Sequence, residues 1–452
     1  MLATLAATAA KIPPALPAPH SDFYFRPGVT YLNTGTLGPC PRAVVQNATR
    51  DWELLESDPA DEYFGMFTKD PFTQRQDAVR TQAAAYIGAN PTDGVALVPS
   101  TTIGLNSIAD GLISSGFLVD GDVVLTTDQE HAGGYVNWLH YTNCTNLLKK
   151  AEWCSADGKS VRRPVVLTPV AIPVTPASAA PSTAEEIVEL FRKAMDAAGG
   201  RTKVIAVSHV TTTHGLALPI ALLAALAHSR GALLVVDGAQ AMGLAVNVTA
   251  LGVDAYSTSA HKWLLAPKGN GILYVSARAR PHVSPLLLDA GYGVYTGTTG
   301  TRPAQTIVGL GYALDYLTGL GGPKAVGAHN VAMRALAYDG ILRIANVHNM
   351  SDLEVIGARM ASGPLVSPIL TFTLPAPHTS KSFAAAMFKR GFIVKQAGRS
   401  TAPNEGGPTM PTNACRLSFH VFTSKADVAR LMQAIEEVLL LSVEVAPSQY
   451  SF

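Results

Sequence analysis

The sequence predicts an α/β fold with a mainly parallel sheet flanked by helices, followed by a smaller α+β domain. From about residue 90, short apolar segments typical of strands alternate with segments of helical periodicity, which is the pattern of such folds. The alternation fades after about residue 310. The chain has 452 residues, and since domains usually contain about 100–200 residues, more than one domain is expected.

Charge and apolar content exclude several classes of protein. Lys plus Arg number 34 and Asp plus Glu number 33, which gives a net charge of +1, so neither a nucleic acid nor an acidic membrane surface is an expected partner. Hydrophobic residues make up 48% and charged residues 15%, a composition that predicts a compact chain with further surface buried in an oligomer. No segment approaches the ~20 uninterrupted apolar residues of a membrane-spanning helix.

Strand and helix signals can be placed along the chain. The predicted strands are short apolar segments bounded by turn residues, and the predicted helices combine apolar spacing with capping signals. Strands are predicted at Gly94–Pro99, Asp122–Thr127, Pro164–Val170, Val204–Ser208, Leu233–Val236, Gly271–Val275, Ile369–Phe372 and Arg416–Phe419. Helices are predicted from the Ser100-Thr101-Thr102 turn through Leu112, at Glu185–Ala197 behind a Ser182/Glu185 capping box, at Ile220–His228, at Ile307–Leu320 as a bridge between domains, and at Lys425–Leu441.

The N-terminus and the cysteines leave the compartment open. The first ten residues are rich in Ala, Leu and Thr and precede a Pro-rich segment, which fits either a disordered leader of a cytoplasmic protein or the remnant of an export signal. The four cysteines are too few and too scattered for a disulfide framework, and the absence of CxxC spacing argues against zinc. Pairing of Cys144 with Cys154 stays open, as does glycosylation of Asn-x-Ser/Thr triplets that chance explains equally well. The cysteines are Cys40, Cys144, Cys154 and Cys415, and the triplets begin at Asn47, Asn143, Asn247 and Asn349.

The segment Thr258-Ser259-Ala260-His261-Lys262-Trp263 carries the most specific chemical signal. It follows a β-like segment and precedes a glycine-containing turn and another strand. A lysine desolvated against the edge of a sheet has a lowered pKa, which suits a nucleophile that forms a Schiff base. A surface lysine at a strand end is the alternative.

Asp237 follows the most apolar predicted strand, in the segment Asp237-Gly238-Ala239-Gln240. Ligands of open α/β sheets bind at the carboxyl ends of strands. An acid in that place can keep a pyridinium nitrogen protonated, whereas the alternative is an aspartate that only caps a turn. The presence of Asp237 favours a Schiff-base lysine at position 262 over a surface lysine.

Two further strand ends carry polar residues. The Ser100-Thr101-Thr102 turn can hold a phosphate at a helix N-terminus, although helix capping is the simpler alternative. Glu130-His131 follows the Asp122–Thr127 strand and places an imidazole where it can stack on a planar ring.

In order and spacing, these motifs resemble the fold-type-I pyridoxal-phosphate enzymes of the class V aminotransferase family. The resemblance is greatest to the group of isopenicillin N epimerase, selenocysteine lyase and cysteine desulfurase-like proteins, and it covers about residues 25–440. Together with the composition of the N-terminus and the change of pattern along the chain, it predicts a flexible leader or signal remnant at residues 1–24 and a small domain at 325–452. Between them lies a large cofactor-binding domain at 25–310, whose residues 25–45 are expected near the substrate entrance. The motifs are Thr101-Thr102, Glu130-His131, Asp237-x-x-Gln240 and Ser259-x-His261-Lys262, supported by Tyr31–Pro39, Gly300–Pro303 and Arg416–Phe419.

The resemblance also implies a role for each residue. Lys262 would bind pyridoxal 5'-phosphate covalently and then move protons on the substrate. Asp237 would pair with the pyridinium nitrogen and His131 would stack on the ring, which makes these three the catalytic set. Arg416 would bind the carboxylate of a small-molecule amino-acid substrate near Asn33. The remaining cofactor contacts would come from Gln240 at the phenolate oxygen, from Thr101, Thr102, Ser259 and His261 at the phosphate, from Thr301 of a neighbouring subunit, and from Thr212, where related desulfurases have asparagine.

The reaction itself is less constrained, because this cofactor permits racemisation, elimination, desulfuration and transamination. A cysteine desulfurase needs a thiolate on the loop before the C-terminal strand, and residues 398–413 contain no cysteine, while Cys415 is expected to be a buried structural thiol. We therefore expect an epimerase or a C–S or β-lyase of the isopenicillin N epimerase type. The alternatives are an aminotransferase-type enzyme of siderophore-like secondary-metabolite maturation, a cysteine desulfurase and a non-catalytic homologue.

The pocket mouth and the subunit interface complete these expectations. The glycine-rich residues 291–300 are expected to contribute to the pocket of a second subunit in a homodimer with shared active sites. Aromatic and histidine side chains near the mouth would either shape a pocket for a substrate larger than cysteine or serve in core packing. These side chains are Tyr135, Trp138, His140, Tyr292 and Tyr295.

Overall fold

The computed structural model of the chain describes residues 16–142, 165–174, 181–284, 301–397 and 413–441. The strands are β1 Thr30–Tyr31, β2 Gly94–Val98, β3 Val123–Thr127, β4 Val166–Val170, β5 Thr202–Ser208, β6 Leu233–Asp237, β7 Ala255–Ser259, β8 Gly271–Val275, β9 Val355–Ile356, β10 Ile369–Thr373, β11 Phe392–Ile393, β12 Lys395–Ala397 and β13 Ala414–Ser418. The α-helices are α1 Arg42–Ser57, α2 Pro59–Phe64, α3 Phe72–Tyr86, α4 Thr101–Ser114, α5 Ala132–Leu139, α6 Ala184–Ala197, α7 Ile220–Ser229, α8 Val248–Leu251, α9 Ala260–Trp263, α10 Ala304–Gly319, α11 Gly322–Val347, α12 Ser380–Lys389 and α13 Lys425–Leu440.

The central sheet has seven strands in the order β2-β8-β7-β6-β5-β3-β4. Strands β4, β3, β5, β6 and β7 run parallel to one another, and β8 is antiparallel to both of its neighbours. Every residue of β6, β7 and β8 is buried, because helices cover both faces of the sheet, and this explains the continuous apolar sequence of β6. The predicted mainly parallel α/β fold is confirmed.

The strand directions bring the predicted motifs to one edge of the sheet. Since β2 and β7 are both antiparallel to β8, they run in the same direction. The carboxyl ends of β2, β3, β6 and β7 therefore lie at the same edge, where ligands bind in open α/β sheets.

A second, antiparallel sheet has the order β12-β13-β10-β9. It packs with α11, α12 and α13 around its own apolar cluster, which includes Phe372, Phe383 and Leu417. The N-terminal segment runs along this part of the chain, since β1 pairs with β11 and Asn33 bridges to Ser418. The boundaries predicted for the two domains stay predictions.

The predicted strands and helices agree with the observed ones to within three residues at each end. The capping box of α6 is one residue away from its predicted place. The sequence Ser182-Thr183-Ala184-Glu185-Glu186 offers two overlapping matches, and the backbone of Thr183 takes the extended cap conformation. Its hydroxyl therefore accepts a hydrogen bond from the amide of Glu186 at 3.2 Å, and its own amide donates to the Glu186 carboxylate.

Candidate active site

Lys262 lies on the single turn α9, directly after the buried strand β7. The start of the turn is joined to the residue before β8, since the Ala260 amide donates to the Asn270 carbonyl at 2.9 Å. Burial lowers the pKa of the Lys262 amine, and the positive charge of Arg416 lowers it further, while Asp237 opposes both effects. A lowered pKa increases the unprotonated fraction of the amine, which is the nucleophilic and basic form.

Asp237 ends strand β6, where it is 7% exposed. One carboxylate oxygen accepts a hydrogen bond from the Ala239 amide at 2.8 Å. Burial raises the pKa of the carboxyl group, whereas that hydrogen bond and the charges of Lys262 and His131 lower it. The acid therefore lies in an apolar position that a cationic ligand group would stabilise.

His131 is the N-cap of α5, after strand β3. Its Nδ1 accepts a hydrogen bond from the Gly133 amide at 3.1 Å, which leaves a proton for Nε2 in the neutral ring. Burial and the charge of Lys262 lower the pKa of the imidazole, with Asp237 opposing them. The ring is therefore neutral at pH 7 and suited to stacking.

Hydroxyl groups gather at the N-terminus of α4. The Thr101 amide donates to Ser259 Oγ at 3.1 Å, and the two hydroxyl oxygens lie 2.7 Å apart. Gly104 permits this close approach of α4 to β7, because a Cβ there would lie 2.2 Å from Ser257 Oγ. Thr102 is exposed at the same helix end, and His261 bonds to the Asn270 carbonyl through Nδ1 at 3.0 Å. A fourteen-residue helix with hydroxyl groups gathered at its N-terminus suits an anion such as phosphate.

Arg416 lies on β13 and is 4% exposed. Its guanidinium donates to the Thr212 carbonyl at 2.9 Å, to Thr36 Oγ1 at 2.9 Å and to Asn33 Oδ1 at 3.4 Å. Burial lowers its pKa to about 10. The groups that accept its hydrogen bonds are all neutral, and its Nε has no partner within the described residues. A buried cation held by neutral groups is suited to pairing with a carboxylate.

The N-terminal segment packs directly on the lysine turn. The Gly38 amide donates to the His261 carbonyl at 2.9 Å, and a Cβ at Gly38 would lie 1.9 Å from the Lys262 carbonyl oxygen. Gln240 is buried behind this segment and donates through Nε2 to the Gly35 carbonyl at 2.8 Å. The residues from Asn33 to Gly38 thus connect Arg416, Gln240 and Lys262.

The remaining predicted cofactor contacts are Thr212 and Thr301. Thr212 faces Arg416 with its backbone carbonyl, so its contribution here does not depend on the side chain. Thr301 is exposed and is the first described residue after position 300. Its contact with a neighbouring subunit stays a prediction.

Sequence reasoning gave no role to Glu130, although it noted the Glu130-His131 pair. The Glu130 carboxylate accepts hydrogen bonds from Thr127 Oγ1 and Ser208 Oγ, both at 2.5 Å. Burial raises its pKa to about 7 despite these bonds, and the nearby charge of Asp237 acts in the same direction. The site therefore contains a second buried acid.

Several predictions concern residues outside the described ranges, namely the loops at 291–300 and 398–412, Cys144, Cys154, Asn143, Tyr292 and Tyr295. Of the other aromatic candidates, Tyr135 and Trp138 are buried in apolar clusters, where they serve packing, and His140 is partly buried. Within the described residues, no cluster of His, Cys, Asp and Glu is suited to a metal ion, and no helix is both long and apolar enough to cross a membrane.

The assembled residues fit a planar phosphorylated cofactor. The N-terminus of α4 suits its phosphate, the buried acid Asp237 suits a ring cation, and the neutral imidazole of His131 suits the ring face. Lys262 supplies an amine with a lowered pKa beside them. On β13, Ser418 Oγ and Arg416 Nε are buried without a partner in the described structure, as expected of groups that face a ligand.

Comparisons with known proteins agree with this assignment. The family model described as aminotransferase class-V matches residues 180–431. A cysteine desulfurase of Klebsiella pneumoniae is 28% identical over 381 residues, which cover 81% of this chain and 83% of the relative. Isopenicillin N epimerase of Amycolatopsis lactamdurans is 27% identical over 432 residues, which cover 91% and 96%. A cysteine desulfurase from Thermococcus onnurineus, 20% identical, has the same fold with a TM-score of 0.70 and covers 91% of this chain and 94% of its own.

Proposed function

The chain belongs to the aminotransferase class-V family and is a pyridoxal-phosphate-dependent enzyme, and from that premise we propose that it is an epimerase or a C–S or β-lyase. Its proposed substrate is an amino acid or a peptide-like amino acid. The observation that carries the proposal is the buried Arg416 guanidinium, which is held by neutral groups and is close enough to Lys262 to lower the pKa of its amine.

Bound pyridoxal phosphate supplies an electron sink that stabilises negative charge at the α-carbon of an amino acid. We propose that Thr101, Thr102, Ser259 and His261 hold its phosphate, with Thr301 of a second subunit. Asp237, His131, Gln240 and Thr212 are the proposed residues around its ring.

Arg416 is proposed to bind the substrate carboxylate. The planar guanidinium can form two parallel hydrogen bonds with a carboxylate, and its own pKa of about 10 keeps it charged at neutral pH. Asn33 and Thr36 hold the guanidinium from the N-terminal segment, so a carboxylate bound to Arg416 would lie beside this segment. The carboxylate would fix the orientation of the α-carbon relative to Lys262.

Lys262 is proposed to remove the proton from the α-carbon, since its lowered pKa increases the unprotonated, basic fraction of the amine. An epimerase then returns a proton to the opposite face of the α-carbon. A lyase instead lets the substituent on the β-carbon leave with the electron pair of the broken bond. Both reactions begin with the same step, so the substrate's β-substituent and the proton donors around it decide between them.

The sequence before the C-terminal strand and the thiol of Cys415 support this choice over cysteine desulfuration. Residues 398–413 contain no cysteine. Cys415, the nearest thiol in sequence, is 2% exposed on β13, and burial raises the pKa of its thiol far above the ordinary value. A thiol with so high a pKa is a poor nucleophile for accepting sulfur.

A homodimer with shared active sites is part of the same proposal. The high apolar fraction of the chain is consistent with an additional buried interface. Sedimentation equilibrium of the purified protein measures the mass directly, and a monomer at micromolar concentration would contradict this part.

The experiment that tests the function is α-proton exchange in deuterium oxide. The cofactor-loaded protein is incubated with cysteine, cystine, S-alkyl cysteines, other L- and D-amino acids and isopenicillin N, and deuterium at the α-carbon is measured by mass spectrometry. Exchange with inverted configuration supports an epimerase, and exchange with pyruvate and ammonia supports a lyase.

Other products would identify other functions. Stoichiometric keto acid with amino transfer would indicate an aminotransferase, and protein-bound persulfide would indicate a desulfurase. The Lys262→Ala variant is the control and should show no exchange above background. Absence of exchange with every compound from the unmodified protein would refute the proposal.

A further inference from the structure

The side-chain amide of Gln240 is held in one orientation by two different partners. Its Oε1 accepts a hydrogen bond from the indole N–H of Trp263 at 2.9 Å, and its Nε2 donates to the Gly35 carbonyl at 2.8 Å. The indole can only donate and the carbonyl can only accept, so the two contacts assign oxygen and nitrogen without ambiguity. One N–H of Nε2 is left over as a donor.

Trp263 is itself fixed by His420. The imidazole stacks on the indole with ring centroids 5.6 Å apart and 24° between the planes. His420 Nδ1 accepts from the Val421 amide at 2.8 Å, so Nε2 carries the proton and donates to the Trp263 carbonyl at 2.9 Å. Burial lowers the pKa of His420 to about 4, which keeps this arrangement unchanged across neutral pH.

The indole fits its place closely on the other side. A Cβ at Gly243 would lie 2.4 Å from Cε3 of Trp263, so a glycine is needed there for the ring to occupy this position. Both Trp263 and His420 are fully buried. His420 and Gly243 thus fix the position of Trp263, and Trp263 fixes the orientation of the Gln240 amide.

We propose that Trp263 is a positioning residue that presents Gln240 to the cofactor as a hydrogen-bond donor. This inference rests on the proposed function, in which Gln240 lies beside the cofactor ring. A donor aimed at the ring disfavours an added proton on the bound cofactor. Without the indole N–H, Oε1 of Gln240 loses its partner, and the amide can rotate away from its donating orientation.

The test uses the pH dependence of the visible absorption of the cofactor-loaded protein. In Trp263→Phe, which keeps a ring but removes the donor, the midpoint of this titration is expected to rise by roughly one pH unit, the size of one hydrogen bond. Gln240→Ala should raise it similarly, and the double variant should show no further shift, because Trp263 acts through Gln240. Trp138→Phe, which removes another buried indole, is the matched control and should leave the midpoint unchanged.

The possible failures are distinguishable. An unchanged midpoint in Trp263→Phe, or additive shifts in the double variant, would overturn the inference while leaving the proposed function intact. If Trp263→Phe does not fold, Gly243→Ala serves instead, because it displaces the indole without removing it. Gly243→Ala must then raise the midpoint of the titration by the same amount, and it must cause no further shift when combined with Gln240→Ala. Absence of the visible band from the unmodified protein would overturn the proposed function and this inference together.

Discussion

Glu130 should make the stability of the protein fall as the pH rises through neutrality. Two hydroxyls donate to its carboxylate and lower its pKa, but burial outweighs them and leaves the folded-state pKa at about 7, against an ordinary value of 4.5. Because this pKa is raised in the folded state, the contribution to stability is complete below about pH 4.5 and is lost as the pH rises through 7. A shift of this size corresponds to about 3 kcal/mol at 1.36 kcal/mol per pH unit.

The variant Glu130→Gln removes this ionisation and keeps the shape of the side chain. We expect the free energy of unfolding of the unmodified protein, relative to the variant, to fall by about 2–3 kcal/mol between about pH 5 and pH 8. Urea unfolding of the cofactor-loaded proteins, followed by fluorescence and circular dichroism at several pH values, measures this difference. Other titrating groups occur in both proteins, so their contributions largely cancel.

Glu186→Gln is the control for this comparison. Hydrogen bonds from the Ser182 and Thr183 amides lower the pKa of this exposed carboxylate, so it is ionised in both the folded and unfolded states throughout the same pH range. Its difference from the unmodified protein should not change with pH. A Glu130→Gln difference that is equally flat, or one that rises with pH, would refute the argument that burial dominates at Glu130.

Three further predictions concern Arg416, Gly38 and the N-terminal cap of α6. Arg416→Ala should lower kcat/KM in the α-proton exchange assay on the order of 10²–10³-fold, because removing one partner of a buried charge pair costs about 3–4 kcal/mol. Arg416→Lys should recover only part of this activity. Full activity of either variant would contradict the proposed carboxylate site. Gly38→Ala should lower the free energy of unfolding by about 1–3 kcal/mol, because its Cβ would meet the Lys262 carbonyl, and an unchanged urea midpoint would show that the segment moves aside freely. Thr183→Ala should cost about 1 kcal/mol through loss of the α6 cap, measured in the same way, whereas Ser182→Ala should cost less, and the reverse order would restore the capping box predicted from sequence.

The sequence predicted the fold because its signals are local. The apolar sequence of β6 and the turn that follows Asp237 each belong to a few neighbouring residues, and a buried parallel strand needs little else to be identified. The shared position of His131, Asp237 and Lys262 also follows from local signals, since each lies at or just after the carboxyl end of a strand, and parallel strands end at one edge. The antiparallel strand β8 does not disturb this argument, because β7 and β2 are both antiparallel to it and therefore run in the same direction.

The contacts that the sequence did not predict join residues that are far apart in the chain. Gly38 lies against Lys262, Gln240 bonds to Gly35, and His420 supports Trp263, and no periodicity or capping rule connects such pairs. Glu130 shows the same limit for electrostatics, since its raised pKa depends on burial by several elements that local sequence does not specify. A single sequence can therefore indicate which residue types carry out the chemistry, whereas their orientation and protonation state depend on tertiary neighbours. For this reason the variants at Trp263 and Glu130, more than one at Lys262, test what the structure adds.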